Sequence, residues 1–121
     1  MSRRRNPGSK QALPKIASLR KSAPIFAALG DETRLRLIAV LCAGGALSIA
    51  QLTSGTEITR QAVTKHLQVL AAAGLVRDVK IGREHLWEFE PKQLEEARRS
   101  LDVISQQWDR SLERLRMAVE G

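Results

Sequence analysis

Ile58-Thr59-Arg60-Gln61-Ala62-Val63-Thr64-Lys65-His66-Leu67-Gln68-Val69-Leu70, closed by Ala71-Ala72-Ala73-Gly74-Leu75-Val76, is the stretch on which the reading of the fold turns. At roughly 100° per residue, Arg60, Gln61, Thr64, Lys65 and Gln68 fall within an arc of about 140°, and Ala62, Val63, Leu67, Val69 and Leu70 occupy the other side. Thr59 suits the N-cap, because its hydroxyl can accept an orphan amide. Ile58 before it can staple onto Val63. No acid occurs between Ile58 and Arg77. The outward face therefore presents donors suited to base edges and phosphates without repulsion. Two readings stay open for this segment by itself, a helix that enters a nucleic-acid groove and an ordinary amphipathic surface helix.

The flanking sequence narrows the choice. Upstream, Ile16–Leu29 reads as one helix or two short turns ended by Gly30, and Asp31 caps a second helix. There Leu35, Ile38, Ala39 and Cys42 share one face while Leu37, Val40 and Leu41 fill the rest, so this helix is expected to be buried on more than one side at the centre of the core. Gly44-Gly45 stops it, and Leu47–Leu52 begins a short helix ending near Ser54-Gly55. A short helix, a turn and a second helix with a polar outer face make a helix-turn-helix pattern.

Past Gly74 the period changes to alternation over Leu75–Ile81 and His85–Phe89, with Lys80-Ile81-Gly82-Arg83-Glu84 between them. This reads as a hairpin whose tip carries Lys80 and Arg83, a wing beside the polar helix; a plain structural hairpin is the alternative. From Pro91 a last helix, about residues 92–119, carries Leu94, Ala97, Leu101, Ile104, Trp108, Leu112, Leu115 and Val119 at spacings of three and four. A stripe of about 37 Å exceeds what a small core covers. Leu94, Leu101, Ile104, Trp108, Leu112 and Leu115 are thus expected to pack on a second copy, the alternative being a helix folded back on its own domain. Two-fold pairing would set two groove helices about 34 Å apart, one DNA turn.

Composition bounds the rest. The chain has 121 residues, 43% of them hydrophobic, enough for one domain, here expected as residues 16–121 behind a mobile basic tail over residues 1–15. The net charge is +7, and all of it resides in residues 1–21, where Arg3, Arg4, Arg5, Lys10, Lys15, Arg20 and Lys21 meet no acid; beyond them bases and acids balance. A basic arm that strengthens nucleic-acid binding, an expression remnant and a merely solvated tail are all compatible with that distribution. No apolar run approaches the ~20 residues of a bilayer span, so a cytoplasmic protein without a membrane partner is expected. Cys42, the only cysteine, is expected to be a buried small hydrophobe rather than a redox sensor. His66 falls near the middle of the apolar arc and is read as packed and hydrogen-bonded, not as a base reader or a ligand. No phosphate-binding glycine loop or nucleophilic constellation supports an enzyme.

The order of elements, together with Ala28-Leu29-Gly30-Asp31-Glu32-Thr33-Arg34-Leu35-Arg36-Leu37-Ile38 and Val63-Thr64-Lys65-His66-Leu67-Gln68-Val69-Leu70-Ala71-Ala72-Ala73-Gly74-Leu75-Val76, resembles the ArsR family of winged-helix transcriptional regulators. The resemblance spans about residues 22–119. It implies a mainly α fold with a small β-hairpin and a long C-terminal dimerisation helix, in a homodimeric repressor that binds double-stranded DNA at a palindromic operator. Thr59, Arg60, Gln61, Thr64, Lys65 and Gln68 would lie in the major groove, with Lys80 and Arg83 on the wing. Where the family's metal sensors carry a Cys-Val-Cys pair this chain has Ser48-Ile49-Ala50, and residues 92–120 hold no histidine, so neither metal nor cofactor is expected. The sequence names no small-molecule effector. The alternative from another class is a winged-helix module that docks a protein partner and has little DNA affinity.

Overall fold

The computed structural model describes the backbone of residues 7–54 and 56–121, and side chains from residue 17 onward apart from residue 55. Helices α1 (Pro7–Leu29), α2 (Glu32–Gly44), α3 (Ile49–Thr53), α4 (Arg60–Ala72) and α5 (Pro91–Glu120) surround a small sheet of β1 (Leu47–Ser48), β2 (Val76–Ile81) and β3 (Glu84–Phe89). Among the described residues no helix is long and apolar enough to cross a membrane.

Local chemistry sets each boundary. Asp31 caps α2 by accepting the Arg34 amide at 3.1 Å. Ser48 and Gln51 form a reciprocal capping box on α3, with the Gln51 amide donating to Ser48 Oγ at 3.1 Å and the Ser48 amide to Gln51 Oε1 at 2.8 Å. At the end of α4, the Leu75 amide donates to the Leu70 carbonyl and the Gly74 amide to that of Ala71, both at 2.9 Å. These are the two bonds of a Schellman motif, and they require a left-handed residue, supplied by Gly74 at φ +78°. α1 is a single helix that runs through Pro24, and its backbone reaches back to Pro7, beyond the boundary expected at residue 16. Arg3, Arg4 and Arg5 lie outside the described residues.

The core gathers one or more residues from every helix: Ile25 and Ala28 of α1, Leu37, Ile38 and Leu41 of α2, Leu52 of α3, Val63, Leu67 and Leu70 of α4, and Ala97 of α5, with Leu75, Val76 and Trp87 from the strands. A polar contact also joins α1 and α5. Ser22 and Ser100 are fully buried, and their hydroxyls meet at 2.6 Å. Side chains this small let the two helices approach closely while each hydroxyl keeps a partner.

Three expectations need correction. Leu47 and Ser48, read as the start of the short helix, instead form β1, the edge of a three-stranded antiparallel sheet in the order β1-β3-β2, with Leu47 opposite Trp87 and Ser48 opposite Leu86, and the hairpin read as the wing is its β2–β3 part. A strand of two residues is too short to show alternation. Next, α2 buries one face only. Leu37, Ile38 and Leu41 point inward, while Leu35, Val40, Ala39 and Cys42 are exposed, because α1, α4 and β3 all pack on the same side of the helix and an open groove separates Val40 from Leu52 and Ile58. Third, and for the same reason, the Cys42 thiol is exposed and not buried.

Candidate nucleic-acid interface

α4 starts where Thr59 Oγ accepts the Ala62 amide at 3.1 Å. That bond uses an oxygen lone pair and leaves the hydroxyl proton free to donate outward. The buried side of the helix is Val63, Leu67 and Leu70, and the partly buried Ile58 packs against the same core at its entrance. Anchoring on this side turns the polar arc to solvent. Arg60, Gln61, Lys65 and Gln68 are exposed, Thr64 is half-buried, and the five border a shallow depression completed by Ile49 of α3. Ile49 was not foreseen as a neighbour of this face.

The donors on the arc are available. Among the described residues no hydrogen bond or ion pair engages the side chain of Arg60, Gln61, Lys65 or Gln68. Thr64 differs, since its hydroxyl donates to the Arg60 carbonyl at 2.8 Å. Outward it offers a lone pair and a methyl group, which suit an amino group or the methyl of thymine rather than a phosphate oxygen. The helix has no acid in its first turn, so the positive end of its dipole and Arg60 act together on any anion there.

The wing is a two-residue hairpin. Ile81 pairs with Glu84, leaving Gly82 and Arg83 as the turn, and Gly82 at φ +61° supplies the left-handed first position of a type II′ turn. Lys80 and Arg83 are exposed, and among the described residues neither has an ion-pair partner. Apart from Glu84 beside the turn, the other charges of the hairpin are paired. Arg77 donates to Glu88 at 2.6 Å and lies 3.4 Å from Glu90, and these carboxylates raise its pKa further above the ordinary range. Asp78 lies 3.2 Å from His85, whose ring stacks on Trp87. Lys80 and Arg83 are the wing's cations without an ion-pair partner among the described residues; Glu84 stands beside them, and the hairpin over residues 76–89 balances three bases against three acids.

On α5 the stripe divides in two. Leu94 is half-buried against its own core and Ala97 is fully inside, whereas Leu101, Ile104, Trp108, Leu112 and Leu115 are exposed, Ile104 by 50% and Trp108 by 62%. The 30-residue helix is about 45 Å long, and its C-terminal half stays exposed against the described residues.

His66 lies off the polar arc, as the wheel implies. Its Nδ1 is 3.4 Å from an Arg34 guanidinium nitrogen and 3.9 Å from Asp31 Oδ2. The Arg34 contact was not anticipated. A usable signal existed, since a base in the first turn of a helix opposes the dipole and needs a partner elsewhere.

A helix-turn-helix whose second helix turns free donors outward beside a wing that presents Lys80 and Arg83 defines a winged-helix transcriptional regulator with a DNA-binding domain. The comparisons with known proteins agree. A family described as a helix-turn-helix domain matches residues 29–79. The HTH-type transcriptional regulator Rv2034 of Mycobacterium tuberculosis is 33% identical over 97 residues, which cover 80% of this chain and 87% of that protein. Among solved structures, an ArsR-like transcriptional regulator from Rhodococcus sp. RHA1 superposes with a TM-score of 0.71 at 36% identity, covering 84% of this chain and 94% of that one. The winged helix-turn-helix domain of Mb0332 from Mycobacterium bovis, described as homodimeric, shares the fold at a TM-score of 0.56 and 24% identity, covering 83% of this chain and 89% of that domain. The chain belongs to the ArsR family of transcriptional regulators.

Proposed function

We propose that this regulator works in the cytoplasm as a homodimeric repressor, binding a palindromic operator with α4 in the major groove and the wing against the backbone or the adjacent minor groove. Arg60 and Gln61, nearest the N-terminus of α4, read bases. Thr59, Lys65, Lys80 and Arg83 hold phosphates, and Thr64 and Gln68 supplement the reading. The observation that carries this is the row Arg60, Gln61, Lys65 and Gln68, without side-chain partners among the described residues and held outward by a helix whose other side is locked into the core. Support for the dimer comes from the uncovered apolar stripe on α5 and from the homodimeric description of the Mb0332 domain. Selection of bound sequences from random DNA tests the whole reading. A palindrome with half-sites one turn apart is expected, and enrichment of no sequence would overturn it.

A protein-docking role is favoured by one observation, the balance of charges beyond residue 21. A salt titration separates the two. Binding through several phosphates weakens steeply between low and physiological salt, and a flat profile would favour the docking module.

A further inference from the structure

Three elements meet around Arg34. Its Nε donates to the Ala28 carbonyl at 2.5 Å and a terminal nitrogen reaches the Ala27 carbonyl at 3.5 Å, so it serves the last turn of α1, where carbonyls lack helical partners and no base is present. Another terminal nitrogen stands 3.4 Å from His66 Nδ1, in the middle of α4. Asp31, which caps α2, lies 3.9 Å from the same Nδ1, and the Arg34 amide holds its carboxyl below the ordinary carboxylate range. One guanidinium thus spans the end of α1, the start of α2 and the helix that faces DNA.

Nδ1 can make one of two bonds. A neutral ring with its proton on Nε2 accepts from Arg34; a protonated ring has no lone pair to offer, repels the guanidinium and donates to Asp31 instead. Asp31 and Arg34 are the charged groups that face His66. α1 contributes backbone carbonyls, and Lys65, the adjacent base on α4, is exposed on the outer arc.

We propose that Arg34 is a positioning residue for base reading: bonded to neutral His66 it fixes the angle of α4 on the α1–α2 corner, and protonation of His66 undoes that bond and lowers operator selectivity. The proposal rests on the reading of α4 as the groove helix. Hydrogen bonds to base edges demand exact placement of Arg60 and Gln61, whereas phosphate contacts survive a small change of tilt. Specific binding should therefore suffer more than non-specific binding.

Fluorescence anisotropy at constant salt, from pH 8 to pH 5.5, on the duplex recovered from random DNA and on a scrambled duplex tests this with wild type, Arg34→Met and His66→Gln. Glutamine keeps an acceptor for Arg34 but does not titrate. At pH 8, Arg34→Met should bind the selected duplex about tenfold more weakly and the scrambled one within about twofold of wild type. As the pH is lowered across this range the wild-type ratio of selected to scrambled affinity should fall, while that of His66→Gln stays level. An unaltered ratio in Arg34→Met, or a His66→Gln profile that tracks wild type, overturns the proposal. Circular dichroism of the free protein shows whether Arg34→Met is folded, and if it is not, the His66→Gln profile decides alone. Failure of wild type to bind either duplex is a different result, visible before any variant is compared, and it overturns the DNA-binding reading along with the proposal.

Discussion

Arg60 and Arg83 carry equal charge, yet their positions give them different work. Arg60 opens α4 with a free fork of donors, so Arg60→Ala should cost about 1–3 kcal/mol at the operator and relax selectivity at one base position. Arg83, at the hairpin tip, should on replacement by Ala weaken binding to all sequences alike and flatten the salt dependence. Equal losses on operator and random DNA for Arg60→Ala, measured by anisotropy, would remove its reading role. Asp31 makes a prediction in acid. Because its folded-state pKa is depressed, chiefly by the Arg34 amide, its ionised form adds stability above the ordinary carboxylate pKa of 3.8, and that increment is lost as pH falls through the folded value. Asp31→Asn keeps the cap acceptor and drops the charge. It should melt lower than wild type at pH 7, and the gap should narrow as the pH falls below 3.8 and through the folded value. At this scale the sequence was informative where neighbours on one helix decide the outcome. Thr59 as cap and His66 as an inward residue both follow from helical geometry, whereas the exposure of Cys42 depends on which elements lie beside α2, and no local pattern encodes that.

Turns and caps decide the elements. Gly74 adopts φ +78°, and a Cβ there would stand 2.8 Å from Gln93 Cγ, so Gly74→Ala is disfavoured by backbone and by neighbour alike. The flexible Gln93 side chain can yield; the left-handed conformation cannot, and a loss of about 1–2 kcal/mol, seen as a fall of several degrees in Tm, is expected. Unchanged melting would mean that α4 ends equally well without the Schellman motif. The boundaries of α4 and the site of the wing turn were legible because Thr59, Gly74 and Gly82 each answer a stereochemical demand. β1 was not, since Leu47 and Ser48 become a strand only through pairing with Trp87 and Leu86, some forty residues distant. The one-sided burial of α2 belongs with it: an apolar sequence all round the helix reports what could be buried, and the tertiary arrangement selects Leu37, Ile38 and Leu41.

For the whole molecule, the exposed half of α5 makes the decisive prediction. Ile104→Glu or Trp108→Glu should give a monomer by light scattering with the helical content of each chain retained, because neither residue belongs to its own core. A persistent dimer would move the interface elsewhere, with the first helix around Phe26 the next candidate. The excess length of the stripe was evident in the sequence as apolar spacing that outruns a small domain. That Leu94 and Ala97 serve the chain's own core was not, as the division depends on where α1 crosses. That crossing also bears on the order of assembly. Ser22 and Ser100 are 78 residues apart in the chain, so closing the seam between them from an unfolded coil carries the entropy of a long loop. The intervening segment is the helix-turn-helix and wing, and once it has condensed the ends are already near each other. The seam should then be a late event, absent from the folding transition state. Ser22→Ala and Ser100→Ala should accelerate unfolding in a chevron analysis and leave the refolding rate nearly unchanged, so that the contact between the two ends acts chiefly as a brake on coming apart.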